Sequence, residues 1–154
     1  WSEDRLIPDI LKSFENSKSL IIRNPLSIRP WQHVLEPLSG YLILIEELYK
    51  NGNDFSQAWN FGPYDNDCKS VEWVINKIIK LWGEKISWKH DNNNINPHEA
   101  KLLKLNISKA IEKLNWRPFK NINFTLKSII DWHKIWLKKE DIKTECIRQI
   151  NIYK

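Results

Sequence analysis

Methionine is absent from the sequence, even at position 1. A chain that opens on Trp1 and enters a helical pattern within three residues, with no processing signal, is expected to be a piece of a longer protein. Glycine is nearly as scarce, with four in 154 residues, and none falls in a dinucleotide-binding or P-loop pattern, which excludes both turns from this stretch. No Gly-x-Ser-x-Gly elbow occurs, so a hydrolase triad has no anchor. The two cysteines, Cys68 and Cys146, lie far apart in neither metal-like nor redox-like spacing and read as reduced thiols. The histidines at 33, 90, 98 and 133 form no i, i+4 pair and have no nearby cysteine ligands, so no metal site is expected. The longest apolar stretch, Tyr41 to Ile45, runs into Glu46 and Glu47 and is too short to span a membrane. No basic-then-apolar leader opens the chain, and a cytoplasmic location without a membrane partner is expected.

What is present describes one domain. Apolar residues make up 42% and charged residues 28%, values of a folded globular chain rather than a disordered one. The net charge of +5 fits an anionic partner. Acidic residues are interleaved with the lysines and no block of five like charges appears. A phosphorylated small molecule therefore explains the charge as well as nucleic acid does. Nine tryptophans are many for this length; some must be core, and the excess also suits a cleft that stacks on a ring. A basic, Trp-rich nucleic-acid-binding domain is the alternative from another class. Against it, the lysines are spread along helices with glutamates and no stacking platform is visible, so no nucleic-acid partner is expected.

The periodicity predicts helices over residues 2–16 (Leu6, Ile10, Leu11 and Phe14 on one side), 36–50, 70–82, 106–114 and 124–138. In the second, Leu38, Tyr41, Leu42, Ile45, Leu48 and Tyr49 form the apolar stripe. In the last, Leu126, Ile129, Ile130, His133, Ile135 and Trp136 crowd the inner side. Extended pieces are read at 19–23, 27–31, 57–61, 85–89 and 100–105, with a polar, mobile loop at 91–97. The alternation gives a mixed α/β domain without repeats or linkers.

Two short runs hold chemistry-bearing side chains. Arg29-Pro-Trp-Gln-His-Val-Leu-Glu-Pro37 places a cation, an indole, an amide, an imidazole and a carboxylate just before a helix. An arginine at a strand end is a natural phosphate clamp, since its planar fork matches phosphate oxygens bidentately. The plain alternative is a solvated Arg29 above a core Trp31. Pro97-His98-Glu99-Ala-Lys101 follows the polar loop, where a ligand-closing segment and an ordinary surface turn are equally open readings.

Taken in order, these runs resemble a known family. Trp1 to Asp9 (Trp-Ser-Glu-Asp-Arg-Leu-Ile-Pro-Asp), Ile22-Arg-Asn-Pro25, Arg29 to Leu42, Ala58-Trp-Asn-Phe-Gly-Pro63, His98 to Leu105, Ser108-Lys-Ala110 and Leu114-Asn-Trp-Arg-Pro118 are similar to the CDP-glucose 4,6-dehydratases. The Arg-Pro-Trp-Gln-His-Val-Leu-Glu-Pro run is the specific part, because related sugar-nucleotide enzymes usually carry Arg-Asp-Trp or Arg-Asp-Tyr there. The Asn-Trp-Arg-Pro end is shared across the extended short-chain dehydrogenase/reductase superfamily.

The resemblance implies that residues 1–154 are the C-terminal, nucleotide-sugar-binding part of a Rossmann-type α/β enzyme whose N-terminal, NAD-holding domain is missing from the chain. It implies CDP-glucose as partner, a homo-oligomer when complete, and a product, CDP-4-keto-6-deoxyglucose, that feeds deoxysugars of surface polysaccharides such as O-antigen and lipopolysaccharide. Another nucleotide-sugar dehydratase or epimerase of the superfamily is the nearest alternative. No catalytic residue carries over: Tyr41, Tyr49, Tyr64 and Tyr153 have no lysine four residues later. Binding residues do. Arg29 matches the superfamily arginine on the nucleotide phosphates, and His98 falls where relatives complete that clamp. Arg5, Leu6, Ile7 and Pro8 match the segment beside the base and first phosphate, and Ile21 and Arg23 the strand that sandwiches the base. Asn106 stands where the family favours Asp before the Ser-Lys-Ala helix, an expected exchange of one cap for another.

Overall fold

The computed structural model describes residues 5–83, 86–91 and 100–153. Six α-helices, four three-residue strands and two 3-10 turns (Gly52–Phe55 and Asp65–Asp67) lie along them: α1 (Leu6–Glu15), β1 (Leu20–Ile22), β2 (Ile28–Pro30), α2 (Leu35–Asn51), β3 (Cys68–Ser70), α3 (Val71–Trp82), β4 (Trp88–His90), α4 (Ser108–Leu114), α5 (Ile122–Leu137) and α6 (Ile142–Asn151). Parallel β1 and β4 pair Leu20 with Trp88 and Ile22 with His90, while antiparallel β2 and β3 pair Arg29 with Lys69. On its other side β2 is bonded to residues 101–103: Ile28 donates to the Lys101 carbonyl (2.8 Å), and Leu103 donates to the Ile28 carbonyl (3.1 Å).

The helices begin and end where local chemistry allows. Ser70 Oγ accepts from the Trp73 amide (3.2 Å) to start α3, and Gly83 ends it at φ +94°, a left-handed conformation that costs glycine little. Asn121 caps α5 by accepting from the Phe124 amide. The N-cap of α4 is Ile107 rather than Asn106, whose side chain accepts from the Ser108 amide (3.0 Å) from one residue further back. Pro8 lies in the first turn of α1, where its missing N–H is no loss.

One core joins Ile10, Leu11 and Phe14 of α1, Leu20 and Ile22 of β1, Val74, Ile75, Ile78 and Trp82 of α3, and Ile122, Leu126 and Ile130 of α5. A second gathers Phe61, Ile107, Ala110, Leu114 and Trp116 beneath α2. Trp116 meets Phe61 edge-on at 5.0 Å and donates its indole N–H to Ser39 Oγ. Gly40 faces this core, and a Cβ there would lie inside contact distance of the Phe61 ring.

Several expectations are corrected. The α2 stripe points outward: Leu38, Tyr41, Leu42, Ile45 and Tyr49 are exposed, while Glu36 and Gly40 are the helix's buried positions. Trp136 is likewise exposed and leaves the inner face of α5 to Leu126, Ile130 and His133. Residues 57–61 form no strand, because Gln32 and Lys109 side chains, rather than a neighbouring strand, take the Phe61 and Ala58 carbonyls. Residues 100–105 contribute one bridge, Ile28 with Leu102, and β3 and α6 appear where no element was read. The strand read at 85–89 lies at Trp88–His90, its first residue Lys85 falling outside the described residues, as do residues 92–97 of the polar loop. Among the described residues, no helix is long and apolar enough to cross a membrane.

His133 is fully buried, with Nε2 2.9 Å from Glu15 Oε1 and Trp82 and Trp136 packed on its ring. Burial lowers its pKa from the ordinary 6.5, outweighing the nearby Glu15 carboxylate. The folded state thus binds fewer protons there than the unfolded state. Its contribution is fully present above pH 6.5 and is lost as pH falls through that value toward the depressed one. Stability should therefore decline on that acid limb, and His133→Gln should flatten it, as read from urea midpoints between neutral and mildly acidic pH. Gly40→Ala, a change that stabilises an ordinary helix interior by up to about 1 kcal/mol, should instead cost about 1–3 kcal/mol against the Phe61 ring, measured by the same unfolding curves.

Candidate functional site

A cleft of about 330 Å³ opens between the first turns of α1, the end of β1 and the edge of β2. Five residues expected to bind ligand meet there: Arg5, Leu6, Ile21, Arg23 and Arg29. Strand alternation explains one of them: Leu20 and Ile22 are buried in the first core, so Ile21 points the other way and is 68% exposed, and Arg23 follows in the bend after β1. Arg5 stands at the N-cap of α1 with extended backbone (φ −116°, ψ 125°), and Leu6 follows in the first turn.

Arg29 comes from β2 and is half-buried. Its Nη1 donates to the Ile28 carbonyl (2.8 Å), which also receives the Leu103 amide, so the base of the guanidinium is anchored on main chain. Trp31 lines the same cleft with its indole N–H donated to the Lys69 carbonyl of β3 (2.8 Å). Trp31 is therefore wall as well as core, which joins the two readings of this run. Arg23, Asn24 and Arg29 all engage other groups of the chain.

Pro8 does not reach the cleft. Two helical positions beyond Leu6, it points about 200° around the axis and, with Ile7 and Leu11, lines a separate apolar groove of about 410 Å³ against α5 and α6. Asp9, at i+3 from Leu6, takes the place on the cleft side. The spacing Leu6–Asp9 was the available signal for it. His98 lies outside the described residues.

The remainder of the Arg-Pro-Trp-Gln-His-Val-Leu-Glu run faces inward. His33 is buried; its Nδ1 accepts from the Leu35 amide (3.2 Å), and Nε2 lies 3.3 Å from Gln149 Oε1 of α6. Burial lowers the His33 pKa, with the Gln149 contact and Glu36 opposing it, so the ring is a neutral structural donor. Glu36, 1% exposed, accepts from the Phe119 amide (2.9 Å) and the Lys120 amide (2.6 Å). Tyr153 packs on His33 and Phe119, and burial with the Glu36 carboxylate raises its phenol well above the ordinary value. The run thus splits: Arg29 and Trp31 serve the cleft, and His33 and Glu36 hold the scaffold beneath it.

No protein-family model matches the chain. A CDP-glucose 4,6-dehydratase from Salmonella typhimurium is 53% identical over 153 residues, which is 99% of this chain and 42% of that protein. The chain therefore spans less than half the length of this relative. Among solved structures, a UDP-glucuronic acid 4-epimerase from Bacillus cereus, in complex with UDP-glucuronic acid and NAD, superposes with a TM-score of 0.72 at 20% identity, covering 85% of this chain and 40% of the epimerase. A dTDP-glucose 4,6-dehydratase from Bacillus anthracis in complex with NAD gives 0.67 at 21%, covering 85% and 39%. The fold is therefore one shared with a portion of these two enzymes.

A guanidinium that meets a phosphate in a half-buried cleft contributes about 1.5–3 kcal/mol. A diphosphate ligand seated in this cleft should therefore lose about tenfold or more in affinity on Arg29→Ala, by titration calorimetry of a full-length protein carrying this sequence. Unchanged affinity would remove Arg29 from the site.

Proposed function

We propose that residues 1–154 are the C-terminal, nucleotide-sugar-binding part of a CDP-glucose 4,6-dehydratase, and that the cleft between α1, β1 and β2 receives the CDP group. The convergence of three arginines, Arg5 at the start of α1, Arg23 after β1 and Arg29 on β2, onto one cleft with an apolar wall carries this reading. A diphosphate presents a fixed pair of anionic centres, which guanidinium forks meet bidentately. Leu6, Ile21 and Trp31 offer flat and aliphatic surface to the base and ribose. The 53% identity along nearly the whole chain to a CDP-glucose 4,6-dehydratase supports the choice of nucleotide sugar. His98 is assigned to the same clamp on the resemblance alone.

The residues present do not fit a dinucleotide. Gly40 is packed on Phe61 inside α2, Gly62 against Leu105 and Ile107, and Gly52 and Gly83 stand at helix C-termini. None opens a strand-to-helix turn over a pyrophosphate. NAD and the catalytic residues are accordingly assigned to an N-terminal Rossmann domain outside this chain, and no step is derived through them. The proposed whole enzyme, a cytoplasmic homo-oligomer, converts CDP-glucose to CDP-4-keto-6-deoxyglucose and water on the way to surface-polysaccharide deoxysugars. This chain's share is to bind and orient the nucleotide sugar.

Full-length protein carrying this sequence, supplied with NAD, should form the 4-keto-6-deoxy product from CDP-glucose and do so far more slowly from the UDP, dTDP and GDP analogues, read by product chromatography. Turnover of one of those analogues in preference to CDP-glucose would point to another nucleotide-sugar dehydratase or epimerase.

A further inference from the structure

The cleft is cationic except at one point. Among the described residues lining it, Asp9 is the one carboxylate, against the guanidiniums of Arg5, Arg23 and Arg29. A carboxylate beside a diphosphate would repel it, so within such a site Asp9 belongs at the end away from the phosphates, where the base sits. We propose that Asp9 selects the base, accepting a hydrogen bond from the exocyclic amine of cytosine. This rests on the reading of the cleft as a nucleotide-sugar site.

The chemistry of the two pyrimidines decides it. Cytosine presents N4–H2, a donor, where uracil and thymine present O4, an acceptor, and Asp or Glu is a natural partner for the former. A carboxylate only accepts, but with about four lone-pair sites it accepts an amine while still engaged with other groups of the chain. Opposite uracil, two sets of lone pairs would face one another in a half-buried wall, an element that works against the wrong base as well as for the right one. Asp9 is also well mounted for the task. It is half-buried, its amide donates to the Arg5 carbonyl (3.0 Å) within α1, and it shares the Leu6 face of that helix. Arg5 and Asp9, one turn apart on a rigid element, would hold phosphate and base at a fixed separation.

Binding of CDP, UDP and GDP to the full-length protein carrying this sequence tests the assignment by calorimetry, comparing native protein with Asp9→Asn, Asp9→Glu and Arg29→Ala. Asp9→Asn should lower CDP affinity about tenfold and leave UDP unchanged or improved, with Asp9→Glu keeping a preference for CDP. Arg29→Ala should lower CDP and UDP by the same factor. An Asp9→Asn protein that keeps its CDP-to-UDP ratio, or loses both nucleotides equally, overturns the role of Asp9 while leaving the cleft reading standing on the Arg29 result. Native binding of GDP above CDP overturns the cytosine assignment, since guanine also offers donors to a carboxylate. No effect of Arg29→Ala on any nucleotide overturns the cleft reading itself and the Asp9 role with it.

Discussion

Glu36 carries a carboxylate into the interior, 1% exposed, and the chain meets it with two main-chain donors from the turn after Trp116. Burying a charge is costly unless it is matched by hydrogen bonds. Here the matching forces two distant stretches together: the start of α2 and residues 119–120. Ser39, one turn on, accepts the Trp116 indole and donates to the Glu36 carbonyl, extending the same junction into the second core. The His33–Gln149 contact fastens α6 to the other side of it.

The cleft owes its shape to short elements. Three-residue strands carry few ladder bonds, so β2 is held between β3 and residues 101–103, and Trp31 is pinned by its indole N–H. Arg29 and Trp31 are thereby presented from main chain fixed on both edges. Helix α1 supplies the opposite wall, one face giving Ile10, Leu11 and Phe14 to the core and another giving Leu6 and Asp9 to the cleft.

Much of this was legible in the sequence wherever apolar periodicity and burial coincide. Helix α3 matched because Val74, Ile75 and Ile78 are both the apolar residues and the buried ones. The cleft position of Ile21 on β1 was readable through strand alternation, whereas Pro8 lines the apolar groove instead, since a resemblance aligns segments without saying which way a helix turns. Helix α6 was missed for a related reason: its buried positions are Glu145 and Gln149, one turn apart, tied to Arg148 and to the Ser128 carbonyl. Polar docking leaves no apolar stripe to read. The tryptophans were ambiguous for the same cause, since Trp31, Trp59 and Trp88 act through indole N–H bonds to Lys69, Phe55 and Asn76 as much as through area.

Helix α2 shows the converse, an apolar stripe that meets the chain's own core at Tyr41, edge-on to Phe61, and otherwise turns outward. Leu42, Ile45 and Tyr49 stand on its outer side while Gly40 faces Phe61 on the inner. The two faces therefore answer to different measurements. Replacing an inner residue registers in the unfolding of this chain by itself, whereas polar replacements along the outer stripe would pass unnoticed there and would raise its solubility. Mutational tolerance measured on these residues in isolation thus reports on one half of the helix.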